Sequence, residues 1–210
     1  MTNAAAAAGA CLDAALAIIL EKETELARLD SVAGDGDHGA GMARGFRAAA
    51  AAERGGTPGQ VLAQAGAAFS NAAGGASGAL VGMFIMTIGS TLSSPTPDSR
   101  AVHTALAAGL GALTRLGKAK VGDKTMIDTL DPFVQAYGAA VEAGAGISAA
   151  WQQALPAAAA GRDSTKEMVA ARGRSAVLKE KSLGHLDPGA ASMYYVLEAV
   201  GGVLAAQCAG

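Results

Sequence analysis

Residues 4–29, AAAAAGACLDAALAIILEKETELARL, carry the pattern that decides the fold class. Within them, Leu12, Leu16 and Ile19 recur at the three- and four-residue spacing that places side chains on one face of an α-helix. Alanine, the residue with the highest intrinsic helix propensity, fills many of the remaining positions. The stretch therefore predicts a long first helix with one apolar face.

The same pattern repeats along the chain between breaks that are rich in glycine or proline. We predict eight helices, at residues 4–29, 39–53, 58–72, 77–93, 99–116, 125–143, 147–171 and 188–207. Asp187 and Pro188 mark the start of the last one, because aspartate caps helix N-termini and proline suits the first helical position. No segment shows the period-two alternation that is typical of a strand. We expect an all-α protein with a single domain over residues 1–210.

Composition and charge narrow the class further. The 210 residues are 51% hydrophobic and 16% charged, which is enough apolar material for a core and excludes disorder. The net charge of −2 lacks the basic excess of a nucleic-acid-binding protein. The longest uninterrupted apolar stretch, near residues 79–88, is too short to cross a bilayer. Cys11 and Cys208 form no disulfide framework. We expect a reduced, cytoplasmic protein with no membrane or nucleic-acid partner.

A loop rich in aspartate separates the first two predicted helices. Asp30, Asp35 and Asp37 fall within eight residues of a glycine-rich turn. Oxygen ligands of this kind suit hard cations such as Mg²⁺ or Ca²⁺, and three uncompensated carboxylates would repel one another. An EF-hand is excluded, because its twelfth position counted from Asp35 would be Phe46. The loop predicts a cation site, with turn-forming and helix-capping aspartates as the structural alternative. His38 would contact a phosphate or nucleotide rather than the metal.

Two further segments have features of anion-binding turns. Residues 71–79, NAAGGASGA, lead from a glycine turn into a helix, whose N-terminal amides and dipole attract anions, and Ser77 adds a hydroxyl. Residues 117–126, GKAKVGDKTM, join two helices, and Asp123 suits the cap of the second. Lys118 and Lys120 are interpreted as solvated.

A basic segment near residues 162–181 completes the inventory. Either Arg172 or Arg174 offers a guanidinium that pairs with phosphate oxygens. Neither a Walker A loop nor a dinucleotide-binding glycine motif occurs. The acidic loop, the glycine turns and an arginine together predict a site for a magnesium nucleotide. Because no nucleophile is paired with a general base, we expect another unit to hold the phosphoryl acceptor.

Four segments resemble the nucleotide-binding L subunit (DhaL) of dihydroxyacetone kinase. They are GDGDHGAGMARGF at 34–46, NAAGGASGALVG at 71–82, GKAKVGDKTM at 117–126 and ARGRSAVLKEKSLGHLDPGA at 171–190. Their order and spacing are very similar to those of the family, although Gly41 stands where many members have asparagine. The resemblance implies an eight-helix antiparallel barrel with the nucleotide at one end.

The resemblance also implies a ligand set. Asp30, Asp35 and Asp37 would ligate two Mg²⁺ ions on the phosphates of ADP or ATP, and Arg174 would be the catalytic residue. The nucleotide site would be formed by His38, Gly39, Ala40, Gly41, Ala76, Ser77, Gly117, Met126, Arg174, Asp187, Pro188 and Gly189.

The partners of such a subunit follow from the same resemblance. The chain would be a kinase subunit that is active only with a substrate-binding subunit (DhaK-like). A phosphocarrier (DhaM-like) of the phosphoenolpyruvate-dependent phosphotransferase system would rephosphorylate its bound ADP. The phosphoryl group would then pass to dihydroxyacetone. The family pairs with a dimeric partner, and a homodimer of this chain stays open.

Three other functions compete with this one. The chain could exchange ATP in a kinase for another small ketose, such as a four-carbon one. It could belong to a fatty-acid kinase, although that arrangement normally carries a further C-terminal portion. The third alternative is a helical regulatory or binding module without enzymatic activity.

Overall fold

A computed structural model describes residues 4–172 and 179–208, and eight α-helices lie within these ranges. They are α1 Ala4–Asp30, α2 His38–Ala51, α3 Pro58–Ala73, α4 Gly75–Thr91, α5 Ser99–Gly117, α6 Ile127–Glu142, α7 Ile147–Ser164 and α8 Pro188–Cys208. Two short 3₁₀ turns, Thr165–Glu167 and Lys179–Ser182, lie between α7 and α8. No strand occurs in the described ranges, and the prediction of an all-α fold is confirmed.

The helices form a closed ring. Each helix packs against the next in the chain, and α8 packs against α1. Short connections make the consecutive helices from α1 to α7 antiparallel. The connection from α7 to α8 is longer, residues 165–187, but Arg162 near the end of α7 stacks on Tyr194 near the start of α8. Gln152, earlier in α7, donates to Gly201 O, later in α8, so this pair is antiparallel too. The starts of α2, α4, α6 and α8 therefore share one end of the ring with the ends of the odd-numbered helices. The few aromatic side chains pack inside, with Phe46 against Phe69 and Phe133 against Trp151 at ring-centroid distances of 5.0 and 4.9 Å.

The interface between α3 and α4 depends on glycine. A Cβ on Gly66 would overlap Met86 N and would lie 2.7 Å from Gly82 O, so the two backbones touch at this point. Gly59 and Gly89 make a second close approach in the same pair of helices. Because small residues let helix axes come together, these glycines have a packing role that composition alone did not predict.

The end of α7 differs from the sequence-based prediction. The helix was expected to continue to residue 171, but it ends at Ser164 and is followed by the 3₁₀ turn. The carbonyl of Thr165 accepts a hydrogen bond from Lys124 Nζ at 2.6 Å, and its hydroxyl accepts one from Asp187 N at 3.0 Å. These tertiary contacts hold the chain in a different path from that of a continuing helix.

The start of α8 agrees with the prediction. Ala190 N donates to Asp187 Oδ1 at 2.7 Å, so Asp187 caps the helix and Pro188 is its first residue.

Helices α1 and α8 are apolar and long enough to cross a membrane by length and composition alone. In the fold they are neighbouring walls of the ring, which gives each an apolar face to bury. Their contact also includes polar groups, because the hydroxyl of Tyr195 donates to Glu25 Oε1 at 2.8 Å.

Candidate functional site

A cavity of about 510 Å³ opens at the end of the ring where the even-numbered helices begin. Its volume lies in the range that is typical of small-molecule sites. Its wall is contributed by the end of α1, the start of α2, the turn between α3 and α4, the end of α5, residues 119–127 and the start of α8. The antiparallel ring brings these segments together although they are distant in the sequence.

The three aspartates of the acidic loop converge at this cavity. Asp30, Asp35 and Asp37 each offer a carboxylate oxygen, and these oxygens lie within 4.8 Å of one another. Asp30 is partly buried at the end of α1, and the other two are exposed. His38 N lies 3.3 Å from Asp30 Oδ2, which joins the start of α2 to the cluster. The all-oxygen donor set suits a hard divalent cation.

His38 lines the cavity but is largely buried. Its Nε2 is 3.0 Å from Ser192 Oγ, and the Ser192 hydroxyl in turn donates to Gly189 O at 3.0 Å. Burial lowers the pKa of His38 to about 4, while the charge of Asp30 and a hydrogen bond to the Pro188 carbonyl oppose this effect. Burial thus disfavours the charged form of His38, and the imidazole links α2 to α8.

Backbone amides at the start of α4 face the opposite part of the cavity. Gly74 has φ 74°, lies at the N-cap of α4, and leaves open space where a Cβ would be. Among the residues that the structure describes, no side chain caps α4. At the other end of the ring, by contrast, Thr57 forms a capping box at α3 and Asp98 caps α5. The first amides of α4 and the positive end of its dipole are thus available to an anion.

The turn at residues 117–126 folds around a buried carboxylate. Asp128 accepts hydrogen bonds from Gly122 N at 2.6 Å and from Thr125 N at 2.7 Å. Asp123, which was expected to cap α6, instead accepts a bond from Lys120 N at 3.1 Å and pairs with Arg172 Nε at 3.2 Å. The expectation for Asp123 was wrong because Asp128, inside the first turn of α6, collects the amides of the turn.

Asp187 is the second titratable group with a strongly shifted pKa at this end of the molecule. Burial raises its pKa to about 7. The hydrogen bond from Ala190 N and the charge of Lys124 oppose this effect, while the charge of Asp128 adds to it. The cap of α8 can therefore change its charge near neutral pH.

Most of the residues that the sequence predicted as site residues share this cavity. Its wall includes Asp30, Asp35, Asp37, His38, Gly41, Ala76, Ser77, Gly117, Met126, Asp187, Pro188 and Gly189. Gly39 and Ala40 are not among the described residues that line it. Gly39 instead packs against α1, where a Cβ would overlap Glu23 O. Arg174 lies outside the described residues.

Two cationic residues of the cavity wall were missed from the sequence. Arg44 Nη2 donates to Ala73 O at 2.9 Å, which places its guanidinium at the turn between α3 and α4. Its position about two helical turns after the acidic loop is a local signal that could have identified it. Lys124 lies in a predicted turn, but its partners are 41 to 61 residues away in the sequence. No local pattern could have identified those partners.

Comparison with known proteins identifies relatives along most of the chain. Residues 32–202 match a family model described as the DAK2 domain. The chain is 42% identical over 207 residues to an L-erythrulose kinase of Pectobacterium atrosepticum, covering 96% of this chain and 35% of that protein. It is 34% identical to the ADP-binding subunit DhaL of the PEP-dependent dihydroxyacetone kinase 1 of Listeria innocua, covering 87% of this chain and 88% of that subunit.

A solved structure has the same fold. The native dihydroxyacetone kinase of C. freundii superposes with a TM-score of 0.73 at 28% identity, over 94% of this chain and 34% of that one. The same enzyme in complex with AMP-PNP and Mg²⁺ gives a TM-score of 0.67. The chain thus spans about a third of the length of this enzyme and of the erythrulose kinases that it matches.

Proposed function

The chain belongs to the DAK2 domain family, and from that premise we propose that it holds a magnesium nucleotide as the phosphoryl carrier of a dihydroxyacetone kinase. One observation carries this proposal: a single cavity combines two features. Three carboxylates converge there, and the start of α4 is capped by no side chain of the described residues. The first element suits a divalent cation and the second suits a phosphate.

The residues present fit such a ligand. Asp30, Asp35 and Asp37 would hold Mg²⁺, which would neutralise the phosphate charge during phosphoryl transfer. The amides of Ala76 and Ser77, in the first turn of α4, would bind phosphate oxygens. The remaining predicted residues of the wall would contact the nucleoside of ADP or ATP: His38, Gly41, Gly117, Met126, Asp187, Pro188 and Gly189. Gly39, Ala40 and Arg174 stay predictions from the family resemblance.

The site also suggests that the acceptor is bound elsewhere. Ser192 contacts His38, but it is fully buried and does not line the cavity, so it is not accessible as a nucleophile. We therefore propose that the phosphoryl group passes to dihydroxyacetone on a substrate-binding kinase unit of the DhaK type. A phosphotransferase-system phosphocarrier of the DhaM type would reload bound ADP, and the setting would be cytoplasmic.

Exposed apolar side chains near the cavity support docking of such a unit. Five large hydrophobic residues are exposed in the described part of the chain, and four of them are Leu116, Val121, Val169 and Leu183. Leu116 lines the cavity, and Val121 lies in the turn at residues 117–126. Val169 and Leu183 are the sequence neighbours of Ala170 and Ser182, which are joined by a hydrogen bond from Ala170 N to Ser182 Oγ. Exposed apolar groups concentrated around a site are typical of an interaction surface.

Nucleotide retention tests the proposal directly. The protein purified from cells should release adenine nucleotide on denaturation, in a stoichiometric amount if ADP is a resident group. Asp35→Asn and Asp37→Asn should each abolish retention with unchanged helicity by circular dichroism, because each removes a charged metal ligand. Glu142→Gln, an exposed carboxylate at the far end of α6, should retain it. Retention of magnesium and ADP by both aspartate variants would refute the assigned ligands.

A second function has its own support in the relatives. Three erythrulose kinases are 37 to 42% identical to this chain. This favours, as the alternative, a kinase for a four-carbon ketose in which the chain exchanges ATP rather than keeping ADP. Incubation with labelled ATP separates the two functions, because exchange within seconds supports the ATP-dependent kinase and retention through dilution supports the carrier.

A further inference from the structure

Lys124 is a buried cation whose hydrogen bonds all go to the backbone. The residue is 3% exposed. Its ammonium group donates to Thr165 O at 2.6 Å, to Ser182 O at 2.7 Å and to His185 O at 2.6 Å. A lysine has three N–H donors, so these contacts use all of them. While they hold, Lys124 has no donor left for a phosphate in the cavity that it lines.

The three carbonyls belong to the segment that connects α7 to α8. Thr165 lies at its start, while Ser182 and His185 lie near its end. The start and the end of this segment are joined by two further hydrogen bonds, from Gly184 N to Lys166 O at 2.8 Å and from Asp187 N to Thr165 Oγ1 at 3.0 Å. The lysine thus reinforces a junction at which the chain leaves α7 and returns to α8.

This junction connects two walls of the cavity. On one side, Lys124 is followed directly in the chain by Thr125 and Met126, which line the cavity. On the other side, the junction leads to Asp187 and Pro188, which line it too. One side chain therefore fixes the position of the turn at residues 117–126 relative to the start of α8.

The surroundings show why a charged group is needed here. Burial lowers the pKa of Lys124, while the charges of Asp187 and Asp128 oppose that effect. Replacement by an apolar side chain would remove the ammonium donor from all three carbonyls, leaving Thr165 O with the Met168 amide at 3.3 Å and Ser182 O with the His185 amide at 3.4 Å. The loss of three charged hydrogen bonds to backbone acceptors is unfavourable. Lys118 and Lys120, in the same turn, are exposed and make no comparable side-chain contact in the described structure.

We infer that Lys124 is a positioning residue: it holds the two walls of the cavity together and so determines how long a nucleotide stays bound. The inference rests on the proposed function, since it assumes that the cavity takes a nucleotide. It assigns Lys124 no contact with the phosphates.

Dissociation kinetics test this role. The wild-type protein, Lys124→Met and Lys120→Met are loaded with Mg²⁺ and a fluorescent ADP, which is then displaced by excess unlabelled ADP. Loss of the charged hydrogen bonds should speed dissociation about tenfold in Lys124→Met, and Lys120→Met should match the wild type. Equal rates for Lys124→Met and the wild type would overturn the inference.

Chemical rescue separates positioning from general damage. In Lys124→Ala, added ethylammonium should occupy the vacated volume, donate to the same carbonyls and restore slow dissociation. Ethanol, which carries no charge, is the control. Dissociation that stays fast with ethylammonium would contradict a role for the ammonium group.

Hydrogen exchange keeps the inference testable if the variants do not fold. Binding of Mg²⁺ and ADP to the wild type should slow exchange of the Gly184 and Asp187 amides, and unchanged exchange would overturn the inference. If the wild type retains no nucleotide, the proposed function fails. The positioning role is then judged in the ligand-free proteins, where the Gly184 amide should exchange faster in Lys124→Met than in Lys120→Met, and equal exchange would refute it.

Discussion

The α3–α4 interface and the wall of the cavity are built on opposite principles, although the same hairpin contributes to both. Along the interface the backbones are in contact, and a Cβ on Gly66 or Gly82 would overlap the facing helix. At the turn of the hairpin, Gly74 and Gly75 have open space where a Cβ would lie. Glycine brings helices together in the first region and leaves backbone amides accessible in the second.

The buried polar groups follow the same division. The cavity end contains Asp187, whose pKa burial raises, and His38, whose pKa burial lowers. Both are groups whose charged forms are unfavourable in the folded protein. We infer that close packing in the α3–α4 interface supplies stability, whereas the cavity wall gives up stability to keep polar groups and amides in place for a ligand.

The largest change in stability is expected for Gly66→Ala, in the α3–α4 interface. The added methyl group would meet backbone atoms of α4, which cannot move aside as the end of a side chain can. We expect the free energy of unfolding to fall by about 3 kcal/mol, measured by chemical denaturation.

Gly202→Ala is the matched control, because Gly202 lies in α8 and nothing lies within 4 Å of its added Cβ. It should be neutral or stabilise the protein by up to about 1 kcal/mol through helix propensity. Similar stabilities for the two variants would show that the interface can relax, and the contrast between interface and cavity would be lost.

The sequence predicted the helices better than it predicted their contacts. Apolar periodicity and glycine or proline breaks placed all eight helices, most within two residues of their ends, because these signals are local. The predicted end of α7 was seven residues too late, because the true end depends on the contacts of Thr165 with Lys124 and Asp187. The glycine interface was also missed, although Gly59 and Gly66 in α3, and Gly82 and Gly89 in α4, recur at a seven-residue spacing that places each pair on one helix face.

The candidate site shows the same limit. Asp30, Asp35 and Asp37 could be grouped from the sequence because one short loop carries all three, and their oxygens do converge. The roles of Lys124 and Asp128 could not be predicted from the sequence, because they depend on how the turn at residues 117–126 contacts other elements. Gly45 and Gly82 lie in the motif segments at 34–46 and 71–82, but they are packing positions where a Cβ would overlap neighbouring atoms.

A smaller change in stability, one that depends on pH, is expected for Asp187→Asn. The folded-state pKa of Asp187, about 7, lies above the ordinary value of 3.8, so its contribution to stability is present below pH 4 and is lost as pH rises to 7. Asparagine is an equally good cap and carries no charge. The stability of the wild type relative to the variant should therefore fall as the pH rises over that window.

Denaturation midpoints of both proteins between pH 4 and 8 measure this difference. His38 titrates in the same range with the opposite sign, because its pKa is lowered to about 4, but its contribution is common to both proteins. Parallel stability profiles for the two proteins would show that Asp187 is not strained by burial. The cavity wall would then not give up stability relative to the α3–α4 interface by burying this polar group.

The sharpest test of the comparison sets Gly74→Ala against Gly144→Ala. Both glycines have positive φ, 74° and 89°, and neither has an atom within 4 Å of the added Cβ. Each substitution should destabilise the protein, because a positive φ is unfavourable for alanine. At Gly74, where ψ is 169°, the backbone lies in a region that is essentially confined to glycine, and the cost should be on the order of 1 to 3 kcal/mol.

Only Gly74 lines the cavity, whereas Gly144 lies between α6 and α7. The methyl group in Gly74→Ala would enter the space beside the first amides of α4, so Mg²⁺ and ADP should dissociate severalfold faster from it, while Gly144→Ala should release them as slowly as the wild type. Faster nucleotide release from Gly74→Ala alone would separate the two functions of glycine at two positions that both have positive φ. Equal release from both variants would mean that the strain, and not the open space at Gly74, governs nucleotide retention.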